Sequence, residues 1–283
     1  MSRQVMLRDI ALRSGGSAVI SMTAVTLPEY CSSVALLAES AHSVGGFPGL
    51  LAASSEDANC SAHPLVIRRV YSTRLPVSSG CAERAECRWP CGYRRLWPVK
   101  FRGVADVLHR SFDALVLDAD WSFRASPRSL LGHRAEVVAV TEPPWMGTDV
   151  VVLNIGRMLI RSTPATIALA ARVANRSTVA WDQIVFNEEI SFSSVQCCHS
   201  RSLMDGLFAP NSTTHSGHGL IRKPGHISLW RLLASCIDPA EFQALPPPSR
   251  AVHEKRTSFR GVWAPGRLNV QRRMRSRCAD LPC

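Results

Sequence analysis

Apolar positions recur with two periods along this chain, and each period predicts an element. Ser17 to Val25 reads as a first strand, and Ser33 to His42 as a helix with Val34, Leu37 and Ala41 on one face and Gly45-Gly46 at its end. Phe47 to Ser54 is a second strand, which gives a βαβ opening without G-x-G-x-x-G, so the dinucleotide fingerprint is absent. Residues 55–92 are rich in Ser, Cys, Arg and Pro and show little periodicity except over Pro64 to Tyr71, which predicts loop and irregular structure. Trp97, Phe101, Val104 and Leu108 fall at helical spacing, and Ala114 to Leu117 is a short apolar run of the kind that forms a strand buried on both faces. Ser126 as cap and Pro127 as first residue predict a short helix, Ala135 to Val140 a strand, and Glu142 to Gly147 a loop.

Val150 to Ile160 reads as a strand, or a strand pair broken by a turn at Asn154-Ile155-Gly156. Thr163 and Pro164 supply a cap and a first helical residue for a helix running to Arg172, and Trp181 to Glu188 predicts another. Residues 191–226 read as an insertion or long loop. Leu229 to Cys236, Ile237 to Phe242 and Arg250 to His253 form a last unit that ends in an edge strand. No repeat is visible, which removes solenoids and propellers. The pattern as a whole predicts an α/β fold with a mixed, mostly parallel sheet and helices on both faces.

Composition bounds the class. At 283 residues with 46% apolar residues, the chain is one large domain or a core with embellishments. Lys and Arg number 33 against 22 Asp and Glu, a formal net charge of +11, with a dense share between Arg250 and Arg277. Such a balance favours nucleotide phosphates, acidic polysaccharide, a membrane surface or nucleic acid. Basic residues are not interleaved with aromatics as a stacking platform requires, which ranks nucleic acid last. No apolar stretch reaches the roughly 18 residues of a membrane-spanning helix. Met1 to Gly16 is interrupted by Arg3, Arg8, Asp9 and Arg13 and lacks a signal-peptide core. Against that, the ten cysteines and the acceptor tripeptides at Asn59, Asn175 and Asn211 lean towards an oxidising, secretory compartment. Cys81, Cys87 and Cys91 are spaced unlike zinc ligands and read as a local disulfide or free thiols.

The chemistry gathers after Leu117. On an extended chain Asp118 and Asp120 point to the same side, just past the carboxyl end of a central strand, where open α/β sheets bind ligands. Two hard oxygen donors there suit a divalent cation that bridges a diphosphate. Taken alone, D-x-D is common, and a solvated turn or helix cap has the same signature.

Three segments in order narrow this further. Lys100-Phe…Phe112-Asp-Ala-Leu-Val-Leu-Asp118-Ala-Asp120…Pro127, then Asn154-Ile-Gly156-Arg-Met-Leu-Ile-Arg161-Ser-Thr-Pro-Ala-Thr166, then Trp181-Asp182-Gln183-Ile-Val-Phe186-Asn187 resemble motifs of the nucleotide-diphospho-sugar transferases of glycosyltransferase family 77. The resemblance spans residues 17–263 and is dense over 97–190. It implies a GT-A-like, Rossmann-related domain over 17–263 with irregular insertions at 55–92 and 191–226, between an N-terminal extension, 1–16, and a basic tail, 264–283.

It also implies a retaining glycosyltransferase, hexosyl or pentosyl, that uses a UDP-sugar donor and a glycan or glycoprotein acceptor in the Golgi or secretory lumen. With neither signal nor anchor visible, the cytoplasm stays open. Manganese or magnesium would be held by Asp118 and Asp120, with His253 completing the shell. Asp182 and Gln183 would act at the reacting sugar, and Lys100, Asn154, Gly156 and Lys255 would line the donor, with Thr23 and Ala24 near the base. Ser126 stands where the family has Asp, which motivates the alternative of a catalytically inactive GT-A-fold binding protein.

Overall fold

A computed structural model describes residues 7–14, 17–56, 58, 60–72, 91–142, 152–178, 180–201, 208–210 and 226–232. The first half holds β1 (Leu12–Ser14), β2 (Ser17–Val25), α1 (Cys31–Ser43), β3 (Leu50–Ser54), β4 (Val66–Val70), α2 (Cys91–His109) and β5 (Asp113–Leu117). The second holds β6 (Trp121–Phe123), α3 (Arg128–Leu131), β7 (Val137–Glu142), β8 (Val152–Ile160), α4 (Pro164–Arg176), α5 (Asp182–Ser193), β9 (Ser194–Arg201), β10 (Phe208–Pro210) and β11 (His226–Leu232).

The main sheet runs β4-β3-β2-β5-β8-β7-β11-β9, with β1 laid antiparallel along the start of β2. Its α/β half is parallel through the β4–β3, β3–β2 and β2–β5 ladders. The remaining ladders, from β5–β8 to β11–β9, are antiparallel. The architecture is thus the mixed α/β sheet with helices on both faces that the pattern predicts. Alternation explains the two cores. Ala114 and Val116 of β5 join Ile20 and Met22 under α2, α4 and α5, whereas Leu115 and Leu117 join Val19 and Val25 against α1. A central strand must be apolar on both sides to do this, which is why Asp113–Leu117 is fully buried.

Several expectations are corrected. β4 lies inside the stretch read as irregular, because Arg68 and Arg69 interrupt its apolar run; Arg68 is accommodated by donating to Ser54 Oγ (2.9 Å) and to the Ser55 carbonyl (3.3 Å). The stretch read as an insertion at 191–226 supplies β9 and β10, and β11 begins at its last residue. Val152–Ile160 is one strand rather than a pair. Pro127, not Ser126, caps α3, and no side-chain hydrogen bond is made there. Leu7 and Ile10, in the stretch read as an extension, are buried. The edge strand expected at 250–253 lies outside the described residues, as do Cys81 and Cys87.

Candidate active site

Chain order fixes where a cleft must form. From β2 the chain proceeds outward to β3 and β4, then returns through α2 to β5 on the other side of β2. The connections therefore diverge at the carboxyl ends of β2 and β5, the topological switch point at which α/β sheets leave a crevice. A cavity of about 220 Å³ sits there. Its walls are Ala24 to Leu27 and Tyr30 after β2, and Asp118, Ala119 and Asp120 after β5. Leu96, Trp97 and Lys100 of α2, Ile155 of β8, and Trp181, Asp182 and Gln183 at the start of α5 close it.

Asp118 and Asp120 reach this cavity by a route other than strand alternation. The Trp121 N–H donates to the Asp118 carbonyl (3.1 Å), so the chain turns sharply over Asp118–Trp121 instead of staying extended. The turn leaves Ala119 buried and both carboxylates on the cavity. Trp121–Phe123 then pairs with β10 in a two-stranded ribbon.

Lys100 organises the charge. Its Nζ lies 2.8 Å from Asp118 Oδ1 and 3.6 Å from Asp182 Oδ2. Burial alone would lower its pKa, but Asp118, Asp182 and Asp120 outweigh that and hold the ammonium above the ordinary lysine range. Asp182 is 2% exposed, and burial pushes its carboxyl up, against the pull of Lys100. Its Oδ1 accepts the Gln183 N–H (3.0 Å), the arrangement expected of a carboxylate on a helix N-terminus. Oδ2 makes no hydrogen bond.

Asp118, Asp120 and Asp182 thus gather with Lys100 at one cavity. Hard carboxylate oxygens of this kind fit a divalent cation that takes its other ligands from water and phosphate. Among the described residues no three His, Cys, Asp or Glu side chains converge to hold a metal without such help.

The structure brings Asp118, Asp120, Lys100, Asp182, Gln183 and Ala24 together. Thr23 is not among the wall residues: it is fully buried on the face of β2 that carries Val19 and Val25. Asn154 Oδ1 accepts the Gly156 N–H (2.7 Å), and Gly156 abuts Asp118. His253 and Lys255 lie outside the described residues. Sequence reading missed Tyr30, Trp97 and Trp181 as wall residues. Trp181, next to Asp182 in the motif, was the one with a local signal, since Trp97 sits on a helical apolar stripe like any core residue. Phe186 and Asn187 of the same motif are structural. Phe186 stacks on Phe101 (5.6 Å), and Asn187 ties α5 to both backbone groups of Leu153.

No curated protein matches this sequence. Among solved structures, the chain is similar to an apo structure of WbbM, a bifunctional glycosyltransferase, at 15% identity and TM-score 0.40, over 63% of this chain and 38% of that one. It thus spans well under half the length of that protein. It is also similar to apo mouse xyloside xylosyltransferase 1 at 14% identity and TM-score 0.35, over 62% of this chain and 81% of that one. Residues 75–215, which contain Lys100, the Asp118–Asp120 turn, Gly156 and Asp182, match the family model described as nucleotide-diphospho-sugar transferase. Through that segment, about half of its length, the chain is similar to the nucleotide-diphospho-sugar transferases.

Proposed function

We propose that this protein is a metal-dependent, retaining glycosyltransferase that moves a sugar from a UDP-sugar to a hydroxyl of a glycan or glycoprotein. The observation that carries the reading is the gathering of three carboxylates with buried Lys100 at the switch point of the sheet. A site meant for the diphosphate alone would be lined with cations; an acidic one calls for a cation to come with it. Asp118 and Asp120 would hold manganese or magnesium. When bound, the ion neutralises charge developing on the leaving diphosphate.

The chain's own groups do the rest. Asp182, buried and with Oδ2 lacking a hydrogen bond, accepts from a sugar hydroxyl and stabilises positive charge developing at the anomeric carbon. Lys100, 2.8 Å from Asp118 and 3.6 Å from Asp182, offsets the negative charge between them. The anomeric C–O bond breaks with its electron pair leaving on the diphosphate. The acceptor oxygen bonds the same face of that carbon, and its proton passes to the departing phosphate oxygen. No protein nucleophile is required. The Cys31–Cys60 disulfide supports work in a secretory lumen.

The test is UDP release from galactose, xylose and arabinose donors, with and without manganese. One donor is expected to give manganese-dependent release that Asp118→Asn and Asp120→Asn abolish. Silence from every donor, with manganese plus UDP still raising the melting temperature, would make the chain a binding protein and overturn the reading.

A further inference from the structure

Strand β8 changes register beside the Asp118 turn. Ala139 of β7 pairs with Met158, but the next residue, Val140, pairs with Asn154, so Ile155, Gly156 and Arg157 bulge out of that ladder. On its other edge the bulge follows β5 beyond the strand's end: Leu117 pairs with Arg157, and the Asp118 N–H donates to the Gly156 carbonyl (2.9 Å). The bulge thus grips both ends of the Asp118–Trp121 turn. At one end lies Gly156, and at the other the Arg157 guanidinium covers the Trp121 ring at 4.0 Å. The grip is itself pinned, since Asn154 Oδ1 accepts the Gly156 N–H.

Gly156 is needed here for room, not for a backbone angle, because its φ is not left-handed. A Cβ built on it would lie 2.2 Å from Asp118 Oδ2 and 2.8 Å from Asp118 Cγ. Real carbon atoms do not approach an oxygen so closely, so either the carboxylate or the strand would have to move. Asp118 cannot swing freely the other way, since its Oδ1 is already on Lys100. One oxygen is therefore fixed by the lysine and the other by the bare face of the glycine.

We infer that Gly156 is a positioning residue for Asp118, and that the bulge Asn154–Arg157 is the mould that sets where this carboxylate stands. Its meaning for the cation rests on the function proposed above, while the geometric claim does not. The bulge is expected to act on metal affinity through Asp118, as groups behind a ligand commonly do, by about 10–100-fold.

The test has two arms. In metal-free protein, Gly156→Ala is made in the parent and in an Asp118→Ala background, and urea unfolding is followed for all four forms. Gly156→Ala is expected to lower the unfolding midpoint clearly in the parent and much less where the carboxylate is gone. Gly132→Ala, where an added Cβ meets nothing nearer than 3.4 Å, serves as the control substitution. The second arm measures manganese binding by calorimetry with UDP present, where Gly156→Ala is expected to weaken affinity at least about ten-fold. An equal loss of stability in both backgrounds, or no change in either stability or manganese affinity, would overturn the inference. If the parent itself binds no manganese, the metal reading fails while the first arm still decides the positioning role.

Discussion

Lys100 shows how one residue serves two purposes at once. It is 4% exposed, and an unpaired ammonium so buried would lose its proton; three surrounding carboxylates keep it charged. Its folded-state pKa lies above the ordinary 10.5, so the stability it contributes is complete below that pH and is lost only as pH rises through the folded value. Asp182 has the same sign, in a more acidic range. Its folded-state pKa is raised by burial, so stability is greatest with the carboxyl protonated and falls as pH climbs through the raised value. Lys100→Met keeps the stem but strands Asp182. The variant is expected to lose roughly 3–5 kcal/mol at pH 7.5, the usual result of breaking a buried pair. The deficit should shrink in urea unfolding as the pH is lowered, because burial raises the Asp182 carboxyl and its protonation removes the orphaned charge. A deficit independent of pH would show that packing, not charge, is what Lys100 provides.

At the scale of elements, α4 illustrates a motif that builds the fold rather than the site. The Thr163 side chain accepts the Thr166 N–H (3.2 Å), and Thr166 Oγ1 accepts the Thr163 N–H (2.9 Å), a reciprocal capping box with Pro164 in the first turn. Thr163 Oγ1 also donates to Glu136 Oε1 (2.8 Å), which anchors the helix start beside β7. Arg161, two residues earlier, pairs with Asp113 at the start of β5 and donates to the Leu131 and His133 carbonyls. Thr163→Ala should therefore cost about 1–2 kcal/mol of stability. Thr163→Ser should keep most of it, and neither should change UDP affinity at a temperature where both are folded. A loss of UDP affinity without a loss of stability would move this motif from the scaffold to the site.

For the whole molecule, the decisive ties are those between distant parts of the chain. The Cys31–Cys60 disulfide joins the first residue of α1 to the segment after β3, across a sequence separation of 29. Closing a loop of that length stabilises by about 3–4 kcal/mol in the chain-entropy model. Because Tyr30 and Leu27 of the cavity wall immediately precede Cys31, the same bond steadies that wall. Cys31→Ser with Cys60→Ser should lower the melting temperature and remove its response to a thiol reductant. Parent protein whose melting temperature ignores the reductant would mean that the bond adds no stability in solution.

The sequence by itself determined the elements whose signals are local. Asp113–Leu117 was legible from its unbroken apolar run Ala114–Leu117 and Ser17–Val25 from its mostly apolar composition, and α4 and α5 because Thr163-Pro164 and Asp182 sit where helix starts favour a cap and a carboxylate. It also placed Asp118 and Asp120 after a central strand. It did not show that they lie in a turn, because the Asp-Ala-Asp spacing fits either an extended backbone or the turn closed by the Trp121 N–H on the Asp118 carbonyl. β4 was hidden by its arginines. β9 and β11 were hidden because antiparallel partners are chosen by pairing, not by periodicity. Only the tertiary structure brought Lys100 onto Asp118 and Asp182, selected Cys60 for Cys31, and revealed that the group pressed on Gly156 is a carboxylate of its own chain. Those contacts join residues far apart in sequence, and their partners are set by sheet order and register, which no local pattern encodes.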